Sequence, residues 1–132
     1  MQSYIHYFLH FGFPFIIAFG FFRKEWKKVY LILIATMLVD LDHLLANPIF
    51  DATRCSINFH ILHTYQAIAI YILLLFLRKP LNIIGIGLLF NMFTDFIDCL
   101  MMYSNCKECF ATAPSMTLIN SISMWIGIYS PA

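Results

Sequence analysis

The sequence predicts an all-α polytopic membrane protein, and three observations carry that prediction. Four apolar segments, roughly 4–22, 29–46, 59–77 and 81–102, are each long enough to cross a hydrocarbon core of about 30 Å. The chain is 61% hydrophobic and 11% charged, with a mean hydropathy of +0.80, more apolar surface than a soluble domain of 132 residues needs. Most basic residues gather in two short connectors, Arg23, Lys24, Lys27 and Lys28, then Arg78 and Lys79. A single transmembrane domain over 1–132 is expected. The net charge of +1 makes no case for nucleic acid, so membrane lipid is the expected partner.

The elements follow in order. Segment 4–22 lacks a basic start and a small-residue cleavage site, so it is expected to stay in place as a helix. Pro14 lies one turn past His10 and is expected to kink it locally. The tight connectors pair segments 4–22 with 29–46 and 59–77 with 81–102. By the positive-inside rule both connectors are cytoplasmic, which puts both termini on the periplasmic side of a bacterial inner membrane. Trp26 and Tyr30 near one interface, and Tyr4, Tyr103 and Trp125 near the other, read as belt residues. The outer loop from Asn47 to Asn58 is short enough to lie across the bundle as a lid. Residues 115–130 are too short and too rich in Ser and Thr for a span, and read as an interfacial or re-entrant helix.

The four cysteines, Cys55, Cys99, Cys106 and Cys109, map to the outer side, where an oxidising compartment permits disulfides. Four cysteines allow three connectivities, and the sequence does not choose among them. Cys106-Lys107-Glu108-Cys109 reads as a local bridge, a redox pair or two zinc thiolates.

The polar residues coincide in depth. Counting inward from the connectors at about 1.5 Å per residue, His10 lies about 18 Å along its helix, Asp40 about 16 Å, and His43, His63 and Asp95 about 21 Å each. His6, Asp42, His60 and Asp98 fall in or just beyond that layer. Ionisable groups inside a bilayer are costly and mark function. The spacings are i,i+3 or i,i+4 throughout: His6 with His10, Asp40 with His43, His60 with His63, and Asn91, Asp95 and Asp98 in one stripe. Inward-facing pairs of this kind build metal sites in helix bundles. Imidazole with carboxylate and no thiolate suits Zn best, then Mn or Fe, over Ca or Mg. The ligand supply suits one or two ions. The expected ligands are His6, His10, Asp40, His43, His60, His63 and Asp95. Asp42 or Asp98 is expected to orient a ligand or act as general base. Arg54 on the outer loop is expected to meet a substrate phosphate. For any single histidine, a packing role is the commoner explanation; the convergence of so many costly groups weakens it.

Asp40-Leu41-Asp42-His43, His6-Tyr7-Phe8-Leu9-His10 and Phe59-His60-Ile61-Leu62-His63 resemble a short family of functionally uncharacterised bacterial integral membrane proteins. That family is similar in motif to the YdjM-like membrane-bound metal-dependent hydrolases. The resemblance covers roughly residues 4–102. It implies a metal-dependent hydrolase. In such families the last helix carries His-x-x-x-Asp, whereas this chain has Asn91-Met92-Phe93-Thr94-Asp95.

The expected function is therefore metal-dependent hydrolysis of a lipid or lipid-linked phosphoester at the outer face. Two other readings stand beside it. One is a non-enzymatic subunit of a larger respiratory or transport complex in the membrane. The other is a membrane di-iron oxidase, whose histidine boxes share the spacings His6 to His10 and His60 to His63.

Overall fold

A computed structural model describes residues 2–47, 49, 55–106 and 116–125. Those residues form helices and turns, with no strand among them. Helix α1 covers 2–21. It winds as an α-helix over Gln2–Tyr7, as a π-helix over Phe8–Gly12, and again as an α-helix over Phe13–Phe21. The wide turn ends just before Pro14. Proline offers no N–H and its ring crowds the carbonyl four residues back, here that of His10. The amide of Phe13 accordingly reaches back to the carbonyl of Phe8. The expected kink is taken up as a change of winding in a continuous helix.

Helix α2 covers 26–45, as an α-helix over Trp26–Ala35 and a 3-10 helix over Thr36–Leu45. At the switch the Thr36 hydroxyl donates to the Leu33 carbonyl at 2.6 Å. Three residues per turn bury Thr36, Val39 and Asp42 on one face. Met37, Asp40 and His43 line a cavity together with Leu38, Leu41 and Leu44, which are also exposed at its side. Helix α3, Tyr65–Leu74, follows a short 3-10 turn at Ile61–His63 and is capped by Thr64, whose hydroxyl accepts from the Ala67 amide at 3.3 Å. Helix α4 is Leu81–Asn105 and helix α5 is Met116–Trp125.

Among the described residues, two helices are long and apolar enough to cross a membrane, Tyr4–Phe21 and Leu81–Asn105. The expectation of four spanning helices is corrected at segments 29–46 and 59–77. Segment 59–77 contributes an α-helix of 10 residues, which rises only about 15 Å. The chain before it is held out of the helix by α2: the Asp42 carboxylate accepts from the Leu62 amide at 2.9 Å and from His63 Nδ1 at 3.1 Å. Segment 29–46 changes winding half-way. Both departures occur where the polar residues collect.

Two apolar clusters hold the bundle. Ala18, Val29, Leu33 and Ile83 pack α1, α2 and α4 together near the connectors. The two connectors meet there, with Lys79 Nζ 3.7 Å from the Glu25 carboxylate and 5.2 Å from the centre of the Phe22 ring. Towards the other end, Val39, Ile57, Tyr71, Met92, Tyr103 and Ile119 surround the disulfide between Cys55 and Cys99. That bridge selects one pairing among the three allowed. Cys106 is disulfide-bonded as well; Cys109 lies outside the described residues. Helix α5 packs on α4 through fully buried Ile119 and a hydrogen bond from the Tyr103 hydroxyl to Asn120 at 3.1 Å. It is shorter than the expected segment, whose ends lie outside the described residues. Helices α2 and α4 come closest at Gly87, where any Cβ would collide with the Thr36 side chain.

Candidate metal centre

The centre is built on the switch in α2, the turn before α3 and the middle of α4. Beyond the close approach at Gly87, Asp40 lies about one turn further along α2 and Asp95 about two turns further along α4. His63 comes in from the turn at Ile61–His63 and is fully buried. Its Nε2 lies 2.7 Å from Asp95 Oδ2 and 3.3 Å from Asp40 Oδ1. None of these three buried atoms has a partner in hydrogen-bond geometry. Two carboxylate oxygens thus face one imidazole nitrogen without an aligned hydrogen bond, an arrangement that a proton on the ring or a cation between the groups stabilises. The two distances to His63 Nε2 lie close to those of neighbouring donors on one ion, which are about 3.0–3.4 Å apart at metal–ligand lengths of about 2.1 Å. Around His63, the donor set whose atoms all lie within 4.8 Å of one another is Asp40, His43 and His63.

The other nitrogen of His63 shows how the ring is set. Nδ1 donates to the Asp42 carboxylate, which leaves Nε2 as the atom turned to Asp40 and Asp95. A carboxylate behind an imidazole in this way fixes the tautomer and raises ligand basicity. Asp42 is buried; its Oδ2 accepts from His63 and the Leu62 amide, while its Oδ1 lies 3.1 Å from His43 Nδ1 without an aligned hydrogen bond. Asn91, also buried, donates from Nδ2 to Asp40 Oδ2 at 3.3 Å and to the Thr36 carbonyl at 3.4 Å. Its amide holds Asp40 rather than offering a ligand atom.

His43 belongs to two groups whose possible ligand atoms lie within 4.8 Å of one another, Asp40–His43–His63 and Asp42–His43–His60. Its ring stacks on that of His60 with centroids 4.0 Å apart. Nδ1 donates to the Asp40 carbonyl at 3.1 Å and Nε2 meets Ser56 Oγ at 2.8 Å. On the far side, His6 from α1 contacts Asp98 from α4 through Nδ1. His10 packs against His6 at 4.3 Å between ring centroids and sits behind it, buried, with Nε2 unpartnered.

These residues floor a cavity of about 620 Å³. His6, Asp40, His43, Ser56, His60, Asp95 and Asp98 supply the polar part, and Ile34, Met37, Leu38, Leu41, Leu44, Ile49 and Met102 supply apolar walls. Of the residues expected at the site, the structure gathers His6, Asp40, His43, His60, His63, Asp95 and Asp98 about this space. Asp42 and Asn91 stand immediately behind it. Arg54 lies outside the described residues. Ser56 was missed by the sequence reading, because it sits in a loop with no helical spacing to mark it.

The family description "Family of unknown function (DUF6122)" matches residues 1–102. The chain belongs to this family. Every residue of the centre falls within the matched region, and Cys106 and helix α5 fall beyond it. Among curated proteins and among solved structures, nothing matches the chain. For this member of DUF6122, function therefore has to be argued from the cavity.

Proposed function

We propose that the protein is an integral membrane metal-dependent hydrolase that acts on a lipid or lipid-linked phosphoester at the outer face of a bacterial inner membrane. The observation that carries the reading is the unpartnered trio of His63 Nε2, Asp40 Oδ1 and Asp95 Oδ2, converging in the buried floor of a cavity with apolar walls. Asp40, His63 and Asp95 would hold one divalent ion, with Zn the best match to the donors. His6 and His60 line the same space and would supply donors for a second ion. When bound, such ions polarise a phosphoryl oxygen and activate water. The chain's own residues do the rest. Asp42 fixes the His63 ring, Asn91 fixes Asp40, and Asp98, paired with His6, is placed to take a proton from water at the cavity wall.

The walls favour a substrate with a hydrocarbon tail. Leu38, Leu41 and Leu44 both line the cavity and lie exposed on α2, so its side opens where lipid would be. In this reading 29–46 and 59–77 complete a four-segment membrane domain with broken elements. Non-helical backbone at membrane depth is tolerated where it lines a cavity. The motif likeness to YdjM-like hydrolases points the same way. A subunit role in a larger complex draws less support because it needs no cavity over the polar floor, and a di-iron oxidase because five histidines are few for its histidine-rich iron sites.

The test is hydrolysis of a long-chain phosphate monoester by protein in detergent. Activity should vanish with a chelator, return with Zn or Mn, and fall at least about 100-fold in His63→Ala. Activity indifferent to chelator would overturn the reading.

A further inference from the structure

We infer that Ser56 is the nucleophile of this site, activated by His43. The inference rests on the hydrolase reading above, and stands on separate geometry. The Asp40 carbonyl can only accept, so His43 Nδ1, at 3.1 Å from it, carries the ring hydrogen. In the neutral ring Nε2 then holds a lone pair, and the Ser56 hydroxyl donates to it at 2.8 Å. Asp42 Oδ1 lies 3.1 Å from the same Nδ1 and offsets charge on the ring when it takes a proton. A hydroxyl bonded to an imidazole whose far nitrogen is fixed is the arrangement that activates a nucleophile. Both nitrogens of His43 thus have a hydrogen-bond neighbour, although its ring also offers an atom within 4.8 Å of the Asp40 and His63 donors.

Position supports the role. Ser56 and His43 line the cavity together with the polar floor and its apolar walls. Ser56 follows Cys55, which is buried and bridged to Cys99 next to Asp98. Its carbonyl accepts from the Phe59 and His60 amides, closing a turn that Asn58 completes with φ of 59°. The nucleophile is thus carried on a loop clamped at both sides, as a reacting group must be.

The step balances without a further reactant. Ser56 Oγ attacks the phosphorus, the Oγ–P bond forms and the bond from phosphorus to the lipid oxygen breaks. The hydroxyl proton passes to His43 Nε2 and on to the departing lipid alcohol. Water then attacks the phosphoserine, the Oγ–P bond breaks, one water proton returns to Ser56 through His43, and inorganic phosphate leaves.

A long-chain alkyl fluorophosphonate tests this on the full-length protein in membranes, with metal content measured on the same sample. Attack expels fluoride and leaves a stable adduct, which peptide mass spectrometry places on the wild-type chain without relying on a variant. The expected result is an adduct on Ser56, absent in Ser56→Ala and formed about 100-fold more slowly in His43→Gln. Metal-loaded, hydrolytically active protein without an adduct on Ser56 would overturn the nucleophile and leave the hydrolase reading intact. An adduct on Ser56 in metal-free protein would support the nucleophile and overturn the metal reading. Adduct formation at full rate in His43→Gln would remove His43 from the step.

Discussion

Asn91 stands one turn before Asp95 on α4, and its contacts explain what an amide does there. It is buried, and its two hydrogen bonds tie Asp40 Oδ2 to the carbonyl of Thr36 at the winding switch. Leucine of similar volume lacks the donor. Asn91→Leu should therefore weaken metal binding by about 10- to 100-fold through misplacement of Asp40. It should cost about 1–3 kcal/mol of stability by leaving buried acceptors unpaired. Competition against a metallochromic chelator and a thermal melt measure the two effects; unchanged affinity would separate Asn91 from the centre. At this scale the sequence was informative where spacing is helical. His6, Asp40, His63, Asp95 and Asp98 were legible from pairs three and four apart. Ser56 was not, because its partner His43 is 13 residues away and the contact depends on how the loop returns. The placement of His10 behind His6 was equally hidden, since one face of a helix can point to a cavity or to a neighbour.

Elements were legible in kind and less so in winding. The apolar runs give the helices, but a count at 100° per residue hides the 3-10 segment Thr36–Leu45. Its trace was present in Leu38, Leu41 and Leu44, spaced by three beside Thr36, Val39 and Asp42. Packing then selects the tighter winding, because it buries Asp42 and opens Asp40 to the cavity on separate faces. The close approach at Gly87 supports that switch. Gly87→Ala should push Thr36 away, destabilise the fold by about 1–3 kcal/mol and lower metal affinity with it. A melt unchanged to within error would show that α2 and α4 have room to spare. The disulfide acts on another element, the loop behind Ser56. It closes 44 residues, for which chain entropy in the unfolded state gives about 4 kcal/mol. The double variant Cys55→Ala, Cys99→Ala should lose stability of that order and label poorly with the fluorophosphonate, because the loop is no longer held against α4.

Across the described residues, two long apolar helices and two interrupted segments pack together, with the basic connectors at one end and a polar cavity towards the other. The sequence anticipated that polarity from its charges, and the contact of Lys79 with Glu25 and Phe22 puts both connectors at one end. It overstated the number of continuous spans because hydropathy sums over residues and is blind to a turn such as Ile61–His63. A cysteine at Lys24 should react with an impermeant maleimide only after the cells are opened; reaction in intact cells would invert the molecule and put its cavity on the cytoplasmic side. On this structure, Asp40, His63 and Asp95 at the cavity floor would hold metal. Elemental analysis of the purified protein tests this most directly. About one or two equivalents of Zn, Mn or Fe should be present. The metal should be lost in His63→Ala, and its removal by chelator should lower the melting temperature. Metal-free protein, with a melting temperature indifferent to both chelator and added Zn, would contradict the account.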